Sequence, residues 1–132
     1  MTPQSPDEYV RVAEFRHSLR RFLRRSEKVA RTAGLTPQRY LLLLMVKGAP
    51  DGSQRSTVTE LAERLQLAQS TVTELVGRAA EAGLLRREPS GRDGRVAHVR
   101  LTEEGERRLE QAFSGLESER DALRQAIAQL TS

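Results

Sequence analysis

A mostly α-helical fold carrying one small β-hairpin is predicted by three observations. Apolar residues recur in steps of three and four through most of the 132 residues. Residues 97–101 instead alternate apolar and polar side chains with a period of two. Turn signals at Gly34, 47–52, Gly83 and 89–94 cut the chain between these stretches. A chain of this length is one domain, large enough to bury a core without staples.

The first helix is written by Val12, Phe15, Leu19 and Phe22, a 3-4-3 spacing that continues through Ser26 to Val29 as a heptad-like seam. Gly34 followed by Leu35 reads as the left-handed cap that ends it. Thr36 and Pro37 start the next helix as N-cap and first helical residue. Its residues Tyr40 to Val46, YLLLLMV, are apolar all round, which predicts the buried centre of the domain. After the 47–52 loop, Thr57-Val58-Thr59-Glu60 is a capping box opening a short third helix. Gln66-Leu67-Ala68 is a turn, and a fourth helix puts Val72, Leu75, Val76 and Ala79 on one face before closing at Gly83-Leu84. Leu85 to Glu88 and Val96 to Leu101 form the hairpin around a turn-rich tip. Thr102 caps the last helix, with Glu103 and Glu104 set against the dipole of its first turn. The seam of that helix, Leu109, Phe113, Leu116, Arg120, Leu123, Ile127, Leu130, keeps a heptad spacing with one charged interruption.

Two short helices around a tight turn, then a two-stranded hairpin, make a winged helix-turn-helix, and long seamed helices flank it. One such module does not need two apolar seams. The sequence therefore predicts that they pack on a second copy, the alternative being that each covers its own core. The expected layout is a single domain over 1–132, with dimerisation helices at 8–33 and 103–130 and a DNA-binding winged helix-turn-helix at 36–101.

Composition removes several classes of function. With no cysteine there is no disulfide framework, thiolate metal site or cysteine nucleophile. With only two histidines, His17 and His98, a multi-histidine metal site in one chain is not expected. No nucleophile–base pair, phosphate-cradling glycine loop or metal-ligand cluster stands out, so neither an enzyme nor a cofactor is expected. The N-terminus has no signal-peptide core, and the longest apolar run is far short of a membrane span, which together predict a soluble cytoplasmic protein. All of the 22 basic residues except Lys28 and Lys47 are arginine. Residues 8–33 hold eight basic against three acidic side chains, and 103–132 hold four against seven, so the two ends could pair. Within the first segment, Arg20, Arg21, Arg24 and Arg25 read as a solvated face, a partner for the acidic last helix or an attractor of anions.

The fourth helix carries the functional argument. With its apolar face buried, Ser70, Glu74, Gly77 and Glu81 lie opposite, flanked by Thr71, Thr73 and Arg78. Short hydrogen-bonding side chains with no bulky neighbour suit a helix that enters a major groove, although an ordinary amphipathic surface helix has the same pattern. The hairpin tip, Ser90 to Arg95, adds glycines and arginines of the kind that reach a narrow, electronegative minor groove. There Asp93 can aim a neighbouring guanidinium.

At this point the chain resembles a known family. LAERLQLAQSTVTELVGRAAEAGLLRRE followed by GRDGRVAHVRLTEEG is similar to the MarR family of bacterial transcription factors. The wing signature is Asp93-x-Arg95, then Val99-x-Leu101-Thr102 and Gly105. The resemblance implies a homodimeric repressor on a pseudo-palindromic operator in double-stranded DNA, released when a small anionic or aromatic effector binds. It implies DNA contacts by Gln69, Ser70, Thr71, Thr73 and Arg95; the exposed face of the fourth helix adds Glu74 and Arg78 as candidate DNA contacts, and the hairpin tip adds Arg92, with Asp93 orienting the wing. Phe15, Phe22, Tyr40 and Met45 are candidates to line an effector cavity, against the plainer reading of core. The chain departs from the family pattern at Glu74, where arginine is frequent, and at Gly77, where aspartate commonly steadies the wing arginine. Ala68 replaces a frequent N-cap Ser or Thr, so Ser70 or a Thr71-x-x-Glu74 box is expected to start the helix. Few residues follow Gly105, so one long terminal helix is expected rather than two. Absence of cysteine argues against peroxide sensing. The alternative of another class is a winged-helix protein–protein interaction module in transcription without effector response, favoured by Glu74 and Glu81.

Overall fold

The computed structural model describes residues 5–89 and 97–131. Helix α1 (Pro6–Thr32) opens on Ser5, whose side chain accepts from the Glu8 N–H, and ends at Gly34 with φ +76°. The Leu35 N–H returns to the Ala30 carbonyl at 2.9 Å, and both Ala30 and Leu35 are buried. Helix α2 (Pro37–Lys47) is capped by Thr36 and crosses the middle of the core, with Leu42, Leu43 and Val46 fully buried. Its apolar run is not buried all round, because Leu41 on the opposite side is 41% exposed.

A strand of two residues, β1 (Arg55–Ser56), precedes α3 (Val58–Leu65) and α4 (Gln69–Glu81). Strands β2 (Leu85–Pro89) and β3 (Ala97–Leu101) form the antiparallel hairpin, and β1 adds to β3, giving the order β1-β3-β2. The third strand was not expected. Two residues are too short for a periodic pattern, and Ser56 joins the sheet opposite Val99 as the buried end of a loop.

The last segment also departs from expectation. In place of one long helix there are α5 (Glu103–Ser114) and α6 (Glu117–Leu130), broken at Gly115-Leu116. Leu116 leaves helical geometry (φ −113°, ψ 13°) and is fully buried in the core. Gly115 sits so close to α1 that a Cβ there would lie 2.9 Å from Val29 Cγ1. The Arg120 guanidinium turns back across the break, 3.8 Å from the centre of the Phe113 ring, and donates to the Phe113 carbonyl. From this break α6 packs along α1, and the opposite charges of the two segments meet where Arg25 pairs with Glu119 at 3.4 Å.

Candidate nucleic-acid interface

The helix-turn-helix is set by short-range bonds that are visible in the sequence. The capping box of α3 is complete: Thr57 Oγ1 accepts the Glu60 N–H, and Glu60 accepts the Thr57 N–H. The turn passes through Gln66 in left-handed geometry (φ 56°), with its carboxamide donating to the Glu63 carbonyl at 2.6 Å. Helix α4 then begins at Gln69 with Ala68 as N-cap, not at Ser70 or at a Thr71 box. Extended backbone at Ala68 presents its carbonyl to the Val72 N–H without any side-chain cap. Val72, Val76 and Ala79 are fully buried, which rotates the opposite side of the helix outward.

Gln69, Ser70, Thr71, Thr73, Glu74 and Arg78 are all exposed on that side. The Gln69 carboxamide donates to Thr59 Oγ1 at 3.2 Å, tying the start of α4 to α3. Glu74 accepts from Arg78 at 2.5 Å one turn along, so the carboxylate that departs from the family pattern is paired within its own helix. Arg92, Asp93 and Arg95 lie outside the described residues. On the strands that lead to them, His98 is half-buried, with Nδ1 lacking a hydrogen-bond partner among the described residues. Arg55, Arg100 and Arg86 stand in register across the sheet, a cationic row on its outer face.

Sequence reasoning missed three arginines. Arg87 pairs in register with the buried Val99, so it points to the α4 side of the sheet, and its guanidinium lies 3.9 Å from where a Gly77 Cβ would stand. Its parity with the apolar Leu85 was the available signal. Arg64 donates to the Met45 and Gly48 carbonyls at 2.8 and 3.2 Å, closing the end of α2 and locking α3 onto it. Arg108 joins Glu104 (2.7 Å) to the Gly34 carbonyl (3.0 Å) and so ties α5 to the end of α1. No local pattern announces either of the last two contacts. Hydrogen bonds from Arg107 and Arg108 hold the Glu104 carboxyl at about 2.

The four candidate effector residues are dispersed. Phe15 is half-buried on α1, and Tyr40 is in the core, where burial raises its phenol pKa. Met45 packs against the core, and Phe22 lines a cleft between α1 and α6 with Ser18, Arg21 and Ser118. A separate, mainly apolar cleft of about 270 Å³ lies between α2 and α5, with Leu44, Leu109 and Phe113 in its wall and the Lys47–Glu106 pair (2.8 Å) beside it.

Residues 33–96 match the sequence pattern of the MarR family. The HTH-type transcriptional repressor YetL of Bacillus subtilis is 34% identical over 82 residues, 62% of this chain and 48% of that protein. The chain spans about half the length of the curated relatives it matches. Among solved structures, Sco3205 of Streptomyces coelicolor, a MarR family regulator in complex with DNA, superposes with a TM-score of 0.65 at 26% identity, covering 96% of this chain and 77% of that one. A mutant E. coli MarR complexed with operator DNA gives a TM-score of 0.67 at 20% identity over 82% and 75% of the chains, a likeness of fold.

Proposed function

Since the chain belongs to the MarR family through its residues 33–96, we propose that it is a sequence-specific DNA-binding repressor acting as a homodimer and relieved by a small molecule. The observation that carries this reading is the outward face of α4, where Ser70, Thr71 and Thr73 stand exposed beside the strands of the wing. Hydroxyls at that position reach base edges while the helix backbone comes close to the groove. The Glu74–Arg78 pair lowers the repulsion that a lone carboxylate would exert on phosphates. That pairing favours DNA over the protein–protein alternative, which leaned on Glu74.

Dimerisation is supported by apolar side chains left open on the flanking helices: Tyr9 (66% exposed), Val10 and Leu23 on α1, and Ile127 on α6. In such a dimer two copies of α4 enter successive major grooves, roughly 34 Å apart, with the Arg95 wings in flanking minor grooves. The α2–α5 cleft joins a flanking helix to the centre of the winged module, a place from which an aromatic or anionic effector can change their relative position.

Titration of operator-selected and random duplexes at several salt concentrations tests the reading. Specific binding with a steep salt slope is expected, because each phosphate contact releases counterions. Arg95→Ala is expected to lose most operator affinity while unfolding at the parent's urea midpoint. A chain that binds neither duplex above background refutes the proposal.

A further inference from the structure

Two adjoining clefts, of about 260 and 250 Å³, run along the groove between α1 and the first turn of α6, and both are lined by Arg21 and Glu119. One adds Ser18, Phe22, Ser118 and Ala122 to its wall, and the other adds Arg24, Arg25 and Lys28. Residues 21, 24, 25 and 28 occupy a single helical face, and like charges at those spacings repel. Arg25 alone of the four has a carboxylate partner among the described residues, Glu119 at 3.4 Å.

Glu119 shows what the groove attracts. Helix α6 starts without a side-chain cap, so its first N–H groups lack that partner. The Glu119 carboxylate bends back to accept its own backbone N–H and the Ser118 hydroxyl at 3.0 Å, beside Arg25 and within the field of Arg21. These donors hold its pKa below the ordinary carboxylate range. A single internal anion thus sits among four cations, leaving a surplus of positive charge next to an aromatic wall.

We infer that this groove binds an organic phosphate, its phosphate group on Arg21, Arg24, Arg25 and Lys28 and its small apolar body against Phe22 and Ala122. A phosphate monoester carries nearly two charges and three acceptor oxygens, which fit guanidinium forks better than one carboxylate does. Glu119 is then the internal competitor that the ligand displaces. The site lies apart from the face of α4, and the inference does not depend on DNA binding.

Calorimetric titration of the full chain at constant ionic strength, with phenyl phosphate and with inorganic phosphate, tests it. Saturable binding of phenyl phosphate, tighter than that of inorganic phosphate, is expected. The double substitution Arg24→Gln with Lys28→Gln is expected to weaken it about tenfold or more, since hydrogen bonds to charged groups are lost. Glu119→Gln is expected to tighten it several-fold. The inference is overturned if neither phosphate gives saturable heat, if the two bind equally, or if the double substitution leaves the affinity unchanged. Weaker binding by Glu119→Gln would show that the carboxylate supports the ligand rather than competes with it, and would overturn it too.

Discussion

Replacing Gly105 by alanine tests how the flanking helices are joined to the winged module. Gly105 is buried in the first turn of α5, and a Cβ there would stand 2.1 Å from the Leu84 carbonyl oxygen and 3.1 Å from its carbon. The obstacle is backbone, so no rotamer change relieves it. That same carbonyl accepts the Thr102 N–H at 3.1 Å, and Thr102 Oγ1 donates to the Gly83 carbonyl while accepting the Gly105 N–H. Making room requires α5 to retreat by roughly 1 Å or more, given that non-bonded atoms rest about 3.5–4.0 Å apart. Overpacking costs about 1–3 kcal/mol. Weakening the Thr102 bonds adds about 1 kcal/mol. The gain in helix propensity from glycine to alanine returns about 1 kcal/mol. The net expectation is a loss of about 2 kcal/mol, read from urea unfolding at fixed protein concentration so that association does not move the midpoint. Gly77→Ala is the control: the nearest atom to its Cβ is Arg87 Nη2 at 3.9 Å, so only the propensity gain of about 1 kcal/mol remains. One chemical change is thus expected to act with opposite signs at two helical glycines. A Gly105→Ala protein as stable as its parent would refute the account of the contact between α5 and Leu84.

Three further outcomes are expected. Glu74→Ala removes a carboxylate from the exposed face of α4 and frees Arg78, so binding to random duplex should strengthen and its salt slope should steepen by about 1; an unchanged slope in a salt titration contradicts this. Arg64→Ala leaves the Met45 and Gly48 carbonyls without their donor and should lower stability by about 1–2 kcal/mol, measured by urea unfolding. Glu104 is held at about 2 against an ordinary 4.5, so its pairing with Arg107 and Arg108 contributes stability in full above pH 4.5 and loses it as pH falls towards 2. The stability difference between the parent and Glu104→Gln should therefore shrink across that window, and a difference that grows on acidification contradicts the pairing.

Much of this protein was legible without coordinates, and the legible parts share a cause. Gly34 and Gly83 adopt φ +76° and +77° at the helix ends where a glycine followed by leucine announced them. The capping box at Thr57 and Glu60 and the Thr36-Pro37 start are likewise bonds within one turn of chain. Burial of Val72, Val76 and Ala79 followed from their spacing, and that burial in turn exposes Ser70, Thr71 and Thr73. The helix break at Gly115-Leu116 was hidden because the apolar seam keeps its heptad step across it. The start of α4 was misplaced because a polar side chain was sought where extended backbone alone suffices. Of the four residues named as candidates for an effector cavity, Tyr40 lies in the core, Met45 packs against it, Phe15 is half-buried on α1 and Phe22 faces a groove rich in arginine, a dispersal set by the packing of α1, α2 and α6.

The order of the helices, the hairpin and the polar face of α4 were determined by the sequence itself, since each depends on residues within a few positions of one another. Three matters were decided only by tertiary structure. Arg108 reaches the Gly34 carbonyl across 74 positions, Leu84 lends its carbonyl to the first turn of α5, and the cations of α1 surround the start of α6. Such contacts join segments whose proximity is created by folding, and a linear pattern holds no record of which distant carbonyl or carboxylate will arrive beside a given arginine.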